Sequence, residues 1–139
     1  MAQTVADVMT RDPATIERTE SAAEAARRMV VADAGDVIVL DNGRVSGILT
    51  DRDIAIRLVA QEKDTSTPVA EIVSETDVVT VSPDTPVEHA IRLIRDRAVR
   101  RLPVVQQGRA VGVLSLGDLA IERDPYSALA DVSAAGGNT

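Results

Sequence analysis

Apolar residues follow two different spacings along this chain. Short runs rich in β-branched side chains, Val37 to Leu40 and Val45 to Leu49, flank the sequence Asp41-Asn42-Gly43-Arg44. Such runs around an Asn-Gly pair are typical of a β-hairpin. A similar pair of runs, Leu102 to Val105 and Ala110 to Leu114, flanks a Gln-Gly pair. The sequence therefore predicts two hairpins of short strands.

A helical spacing precedes the first hairpin. Apolar residues recur there every three or four positions, which places them on one face of a helix. The positions are Ala22, Ala25, Ala26 and Met29. Ser21 and Glu24 can cap the start of this helix, and we expect Ala34-Gly35 to end it. After the hairpin, a second helix is predicted to start at Thr50 and to carry Ile54, Leu58 and Val59.

The second half of the chain shows the same order of elements. Thr85 and Glu88 have the spacing of a capping box, and Pro86 suits the first position of a helix that runs to about Arg97. Its apolar face comprises Val87, Ala90, Ile91 and Ile94. A last helix is predicted from Ser115, with Leu119 and Ile121 as its apolar residues.

These two sets of elements are copies of one unit. Residues 41–56 align with residues 106–121 without a gap, and glycine, arginine, aspartate and hydroxyl positions recur in register. Ala14-Thr15-Ile16 matches Val79-Thr80-Val81 at the same offset of 65, and Val5 to Val8 matches Val69 to Ile72 at an offset of 64. The sequence therefore predicts an α/β (α+β) fold of two β-α-β-β-α repeats.

We place the repeats at residues 1–62 and 63–124, followed by a tail at 125–139. About 60 residues bury too little apolar surface to be stable alone. The repeats are therefore expected to pack into one compact module with pseudo-two-fold symmetry.

Composition narrows the classes of function. The formal charge of -7 argues against duplex DNA as the main partner, because such binding depends on lysine and arginine neutralising phosphates. Cysteine is absent, which removes disulfides and thiolate chemistry, and no run reaches the roughly 20 apolar residues of a membrane span. We expect a cytoplasmic protein with neither a membrane nor a nucleic acid as partner.

One motif occurs in both repeats and carries candidate chemistry. In Gly47 to Asp53 and in Gly112 to Asp118, a predicted strand delivers a hydroxyl to a helix start, and a carboxylate follows three residues later. The hydroxyl can donate to a phosphate oxygen, and the carboxylate can accept both hydroxyls of a ribose. The alternative is an ordinary helix cap, in which both side chains satisfy backbone groups.

The paired motifs resemble those of tandem cystathionine β-synthase (CBS) domains, the pair called a Bateman module. The resemblance covers about Val5 to Ile121 and rests on Gly43 to Asp53, Gly108 to Asp118 and Arg101 to Val105. The chain is similar to small stand-alone bacterial members. This resemblance implies a regulatory module that binds AMP, ADP or ATP, or alternatively S-adenosylmethionine, in clefts between the repeats and needs no cofactor. It also implies a homodimer that acts on a protein effector, with Ile54, Leu58 and Leu119 as candidate dimer contacts.

Site residues follow from the resemblance position by position. Asp53 and Asp118 would bind ribose hydroxyls, and Thr50 and Ser115 would approach phosphate. Adenine would be read by extended backbone. The remaining candidates in or beside these sites are Thr15, Ile16, Ile38, Arg52, Thr80, Val81, Arg101, Leu102 and Pro103. No catalytic residue and no metal ligand is assigned.

The two sites are not expected to be equal. The first has Asp36 and Ile38 where the second has Arg101 and Pro103, and it adds Asp51, whose charge opposes a phosphate unless Arg52 offsets it. The second lies beside Arg100 and Arg101. We therefore expect the second site to favour a phosphate-bearing ligand. A scaffold that has lost ligand binding is the main alternative function, and catalysis ranks last because no nucleophile with an adjacent base is found.

Overall fold

A computed structural model describes residues 3–74 and 78–123, and the predicted tail at 125–139 lies outside this part. The described residues form two compact units, a contiguous one at 14–78 and a discontinuous one that joins 3–13 to 79–123. In chain order the elements are α1 (Val5–Val8), β1 (Thr10–Arg11), β2 (Thr15–Glu17), α2 (Ala22–Ala32), β3 (Asp36–Asp41), β4 (Arg44–Thr50), α3 (Asp51–Asp53), a π-helical stretch (Ile54–Val59), a 3₁₀ turn (Val69–Glu71), α4 (Val87–Arg97), β5 (Arg101–Gln106), β6 (Arg109–Ser115) and α5 (Leu116–Arg123). The α/β fold class is confirmed.

The contiguous unit contains a three-stranded sheet in the order β2-β3-β4. β2 runs parallel to β3, with Thr15 opposite Ile38, and β3 pairs antiparallel with β4. The connecting turn places Asn42 at a φ of 52° and Gly43 at a φ of 84°. Two successive positive φ values match the twist of a two-residue hairpin turn, and asparagine and glycine tolerate them best. The first predicted hairpin is confirmed.

Helix α2 covers one face of this sheet with Ala22, Ala25 and Met29, all of which are buried. Ser21 Oγ accepts a hydrogen bond from the Glu24 backbone N–H at 3.1 Å, as expected for the cap. The prediction that Ala34-Gly35 ends this helix is wrong, because the helix ends shortly before this pair. The helix ends at Ala32 because Asp33 takes the left-handed conformation, with a φ of 54°, and its N–H bonds the last helical carbonyls.

The cap predicted for α4 is also wrong. Pro86 occupies the cap position itself and offers no side-chain hydrogen bond. Thr85 turns back into the preceding loop, where its Oγ1 accepts from the Ser82 backbone N–H at 3.0 Å. Proline therefore serves here to set the extended backbone that enters the helix, with a φ of -62° and a ψ of 140°. The helix ends at Arg97, as predicted.

The discontinuous unit has a sheet in the order β1-β6-β5. β5 and β6 form the second predicted hairpin, with Arg101 opposite Ser115. β1 pairs antiparallel with β6 through Thr10 and Arg11. The segment that corresponds to β2 makes only a single parallel bridge, between Val81 and Val104.

Each unit also contains a short helical segment from outside its own repeat. The Val5 N–H donates to the Thr85 carbonyl at 2.8 Å, and the Val69 N–H donates to the Glu20 carbonyl at 2.8 Å. Both valines are fully buried. The α1 segment thus packs with the second hairpin, and the 3₁₀ turn packs with the first. The boundaries of the sequence repeats stay a prediction. The two units are defined by which residues pack together, and this does not test where one copy of the sequence ends and the next begins.

The helices that follow the hairpins differ between the units. α3 is only three residues long before the chain becomes π-helical at Ile54–Val59, whereas α5 is α-helical from Leu116 to Arg123. Leu58 and Leu119 are buried in the apolar clusters of their own units, and Ile54 packs against the first cluster. Leu58 and Leu119 therefore cannot form the predicted dimer contact. No helix within 3–74 and 78–123 is long and apolar enough to cross a membrane.

Candidate functional site

The junction between β4 and α3 forms a reciprocal cap. Thr50 Oγ1 accepts from the Asp53 backbone N–H at 3.1 Å, and Asp53 Oδ2 accepts from the Thr50 backbone N–H at 3.0 Å. Register places Asp36 opposite Thr50, and the Asp51 N–H donates to the Gly35 carbonyl at 2.9 Å. The cap interpretation of this motif is therefore confirmed for this unit.

The junction between β6 and α5 repeats this geometry. Ser115 Oγ accepts from the Asp118 backbone N–H at 3.0 Å, and Asp118 Oδ2 accepts from the Ser115 backbone N–H at 3.0 Å. The Leu116 N–H donates to the Arg100 carbonyl at 2.9 Å. A serine or threonine hydroxyl that accepts in a cap still has its own proton to donate. The caps therefore leave ligand chemistry open at both junctions.

Each unit collects its own set of candidate residues at one end of its sheet. We call the first set the Asp53 half-site; it comprises Thr15, Ile16, Ile38, Thr50, Arg52 and Asp53. The second set is the Asp118 half-site; it comprises Thr80, Val81, Arg101, Leu102, Pro103, Ser115 and Asp118. The apolar members, Ile16, Ile38, Val81, Leu102 and Pro103, are buried, whereas Arg52 and Thr80 are exposed and the others are half-buried. The polar side chains and the backbone are thus the groups that a ligand can contact.

Two hydroxyl residues that were not predicted from the sequence lie beside these half-sites. Thr10 lies opposite Val113 on β6, and its Oγ1 donates to Asp118 Oδ2 at 3.5 Å. Ser74 makes the matching bridge to Ile48 on β4. The offset of 64 that relates Val5 to Val69 also relates Thr10 to Ser74, so the signal was present in the sequence.

Two arginines of the contiguous unit reach groups of the Asp53 half-site, and neither was predicted. Arg28 donates to the Thr15 carbonyl at 2.7 Å and to Glu20 Oε1 at 2.8 Å, with Glu24 Oε1 at 3.3 Å. Arg57 Nε lies 3.9 Å from Asp53 Oδ1. Both the backbone acceptor expected for adenine and the carboxylate expected for ribose therefore already face a cation.

Glu24 is the part of this cluster with a perturbed titration. A hydrogen bond from Arg27 at 2.9 Å lowers the pKa of the Glu24 carboxyl, and Arg28 adds to the effect. Stronger hydrogen bonding to the charged form favours ionisation. The Glu24 carboxylate thus accepts from both Arg27 and Arg28, and both contacts favour its charged form.

Charge differs between matched positions of the two half-sites. Gly35 and Asp36 in the contiguous unit correspond to Arg100 and Arg101 in the other, and Asp51 corresponds to Leu116. Asp36 is buried, whereas Arg100 and Asp51 are exposed. The Asp118 half-site is thus the more favourable environment for an anionic group. Within the described residues, no three His, Asp or Glu side chains are grouped in a way that could hold a metal ion.

Known proteins are similar to this chain in both sequence and fold. The CBS domain family model matches residues 5–60 and 69–123. The CBS domain-containing protein YhcV of Bacillus subtilis is 41% identical over 119 residues, which cover 86% of this chain and 84% of YhcV. This match and the family model together span nearly all of the described residues.

Solved structures agree with this assignment. The CBS domain pair of protein MJ0100, in complex with 5′-methylthioadenosine and S-adenosylmethionine, superposes with a TM-score of 0.80 at 27% identity, over 91% of this chain and all of that chain. A hexameric CBS-CP12 protein from bloom-forming cyanobacteria gives a TM-score of 0.76 at 29% identity, over 89% of this chain and 74% of that chain. The chain belongs to the CBS domain family and carries two CBS domains.

Proposed function

We propose that this chain is a regulatory module that binds an adenosine compound and passes the bound state to another molecule. The observation that carries the proposal is the duplicated strand-to-helix junction, where Thr50 with Asp53 and Ser115 with Asp118 offer the same hydroxyl and carboxylate. A binding function gives one reason for two units to retain the same pair. AMP, ADP and ATP are the proposed ligands, with S-adenosylmethionine as a further candidate.

Each polar group has a role in this proposal. The aspartate carboxylate accepts the two ribose hydroxyls, and the capping hydroxyl donates its proton to a phosphate oxygen. Extended backbone at Thr15-Ile16 and Thr80-Val81 reads the edge of the adenine. The complex of MJ0100 with two adenosine compounds supports this class of ligand for a similar fold.

A signal requires that the ligand bind one conformation better than another. Asp118 is well placed for such coupling because its carboxylate is bonded both to the start of α5 and to Thr10 of β1. A sugar that draws on the same carboxylate changes how strongly β1 is held. The output is expected to reach a protein effector, and a homodimer is the expected form of the module.

A thermal-shift and calorimetric screen tests this function. The probes are AMP, ADP, ATP and S-adenosylmethionine, with GMP as a control that keeps the ribose and phosphate but changes the base. At 100 times its dissociation constant, a ligand should stabilise the protein by about 2.7 kcal/mol. Asp118→Asn and Asp53→Asn should each weaken binding, and a shift that survives both substitutions together would remove the ribose assignment.

The ligand-free scaffold remains the alternative function. The contacts of Arg28 and Arg57 favour it at the Asp53 half-site, since they occupy groups that a ligand would need. Absence of any shift with every probe would support the scaffold at both half-sites. Steady turnover of a nucleotide by the purified protein would instead indicate an enzyme.

A further inference from the structure

The two half-sites differ in what their acceptor groups already contact. In the contiguous unit, β2 is an outer strand of the described sheet, and the Thr15 carbonyl accepts a 2.7 Å hydrogen bond from Arg28. Arg28 is held there by Glu20 at 2.8 Å and by Glu24 at 3.3 Å. A guanidinium that also binds two carboxylates is held beside this carbonyl.

The matching positions in the discontinuous unit contain no such cluster. An offset of 65 carries Arg28, Glu20 and Glu24 onto Leu93, Thr85 and His89. Leu93 packs against the apolar cluster of its unit. Within the described residues, no backbone N–H donates to the Thr80 carbonyl, which corresponds to that of Thr15, and Leu93 has no donor that could replace Arg28. The competitor found at Thr15 is therefore missing at Thr80.

The half-sites also differ at the carboxylate that is proposed to bind ribose, and Asp53 again has more contacts that compete with a ligand. Asp53 Oδ2 is used by the Thr50 N–H, and Asp53 Oδ1 faces Arg57 Nε at 3.9 Å. Within the part of the chain that the structure describes, the Asp118 carboxylate accepts from the Ser115 N–H and the Thr10 hydroxyl, both through Oδ2. The residue at the position matching Arg57 is Glu122, which has no positive charge. Asp118 therefore keeps more acceptor capacity for a sugar than Asp53 does.

We propose that Arg28 and Arg57 are specificity-determining residues that weaken the Asp53 half-site, so that the Asp118 half-site is the tight site for an adenosine compound. This inference rests on the proposed function. A ligand at the Asp53 half-site must compete with the guanidinium of Arg28 for the Thr15 carbonyl and with that of Arg57 for the carboxylate. At the Asp118 half-site it meets neither competitor.

Calorimetric titration of the full chain with AMP tests the inference. Wild type should show one tight site and a second at least tenfold weaker. Asp118→Asn should remove the tight site and leave the weak one. The double variant Arg28→Leu with Arg57→Glu, which places the residues of the second repeat in the first, should bring the second site within a few-fold of the first.

Arg44→Leu is the matched control because Arg44 is an exposed arginine of the same unit and lies at the β3–β4 turn, away from the end of the sheet that carries Thr15 and Thr50. It should leave both affinities unchanged. Two equal sites in wild type would overturn the inference, and so would an unchanged weak site in a folded double variant. If the double variant fails to give a native circular dichroism spectrum, Arg57→Gln alone should still strengthen the weak site, and no gain there would overturn the inference.

Failure of the proposed function looks different. In that case neither wild type nor any variant would give heat with AMP, ADP, ATP or S-adenosylmethionine. Unequal binding is thus separable from no binding.

Discussion

A methyl group on Gly112 would lie 2.9 Å from the carbonyl oxygen of Thr10 and 2.6 Å from Met9 Sδ. The side chain of Met9 can move away, but the Thr10 carbonyl belongs to the backbone of β1. Gly112 therefore allows the close approach of β1 to β6.

Gly112→Ala should destabilise the discontinuous unit by about 1 to 3 kcal/mol, the usual cost of overpacking. Chemical denaturation of wild type and variant measures this difference. Adding Met9→Ala should relieve only part of the loss, because the contact with the Thr10 carbonyl remains. Full rescue by Met9→Ala would show that the backbone contact is unimportant.

Thr10→Val should weaken AMP binding at the Asp118 half-site. The substitution keeps the shape of the side chain but removes the hydroxyl that donates to Asp118 Oδ2. At 3.5 Å this hydrogen bond is long, so the expected loss is about 0.5 to 1 kcal/mol, or roughly two- to fivefold in affinity. Thr10→Ser retains the hydroxyl and should bind normally in the same titration. Equal affinities for all three proteins would exclude a positioning role for Thr10.

The exposed apolar residues of the π-helical stretch predict where two copies meet. Ile56 is 43% exposed and Val59 is 65% exposed, in the helical region expected to form the dimer. Aspartate at both positions would place charges in an apolar contact, so the double variant should be monomeric by sedimentation equilibrium. Val30 and Val31 are exposed on a different helix, and the same change there should leave the dimer intact. Dissociation by the control variant alone would assign the interface to α2.

We expect Glu24 to cause part of the loss of stability of the contiguous unit at acidic pH. Its pKa is lowered in the folded protein by the hydrogen bond from Arg27. A group with a lowered folded pKa stabilises the protein above its unfolded pKa, and this contribution is lost as the pH falls through the folded value. The stability difference between wild type and Glu24→Gln should therefore shrink as the pH drops below the ordinary value of 4.5.

Denaturant unfolding at several pH values between 6 and 3 measures that difference. Arg27→Leu supplies the control, because it removes the main cause of the lowered pKa while keeping the carboxyl. A difference that is constant across this range would contradict the prediction.

Local signals in the sequence were sufficient for most of the fold. The Asn42-Gly43 turn and the alternation of apolar runs identify the hairpin because these residues suit a backbone with positive φ. The spacing of the motif also indicates the caps at Thr50 and Ser115, which stood as the alternative to ligand binding. Asp33 shows the limit of such signals, since an aspartate adopts the left-handed conformation here although Gly35 follows two residues later.

Contacts between distant segments could not be predicted in the same way. Arg28 appears in the sequence as one member of a charged helical surface, and only the folded unit brings its guanidinium to the Thr15 carbonyl. The contact of Thr10 could not be predicted either, because its partner Asp118 lies near the other end of the described residues. Spacing rules describe neighbours along a helix or strand, whereas these two contacts depend on how elements pack.

α1 and β1 pack with residues that are synthesised much later than they are. Residues 3–13 are synthesised before the residues that bury Val5, which belong to a stretch that begins at Val79. The apolar cluster of the contiguous unit, by contrast, draws its members from one unbroken stretch, from Ala14 to Val73. During translation, Val5 therefore stays accessible to chaperones and proteases until the last hairpin is made.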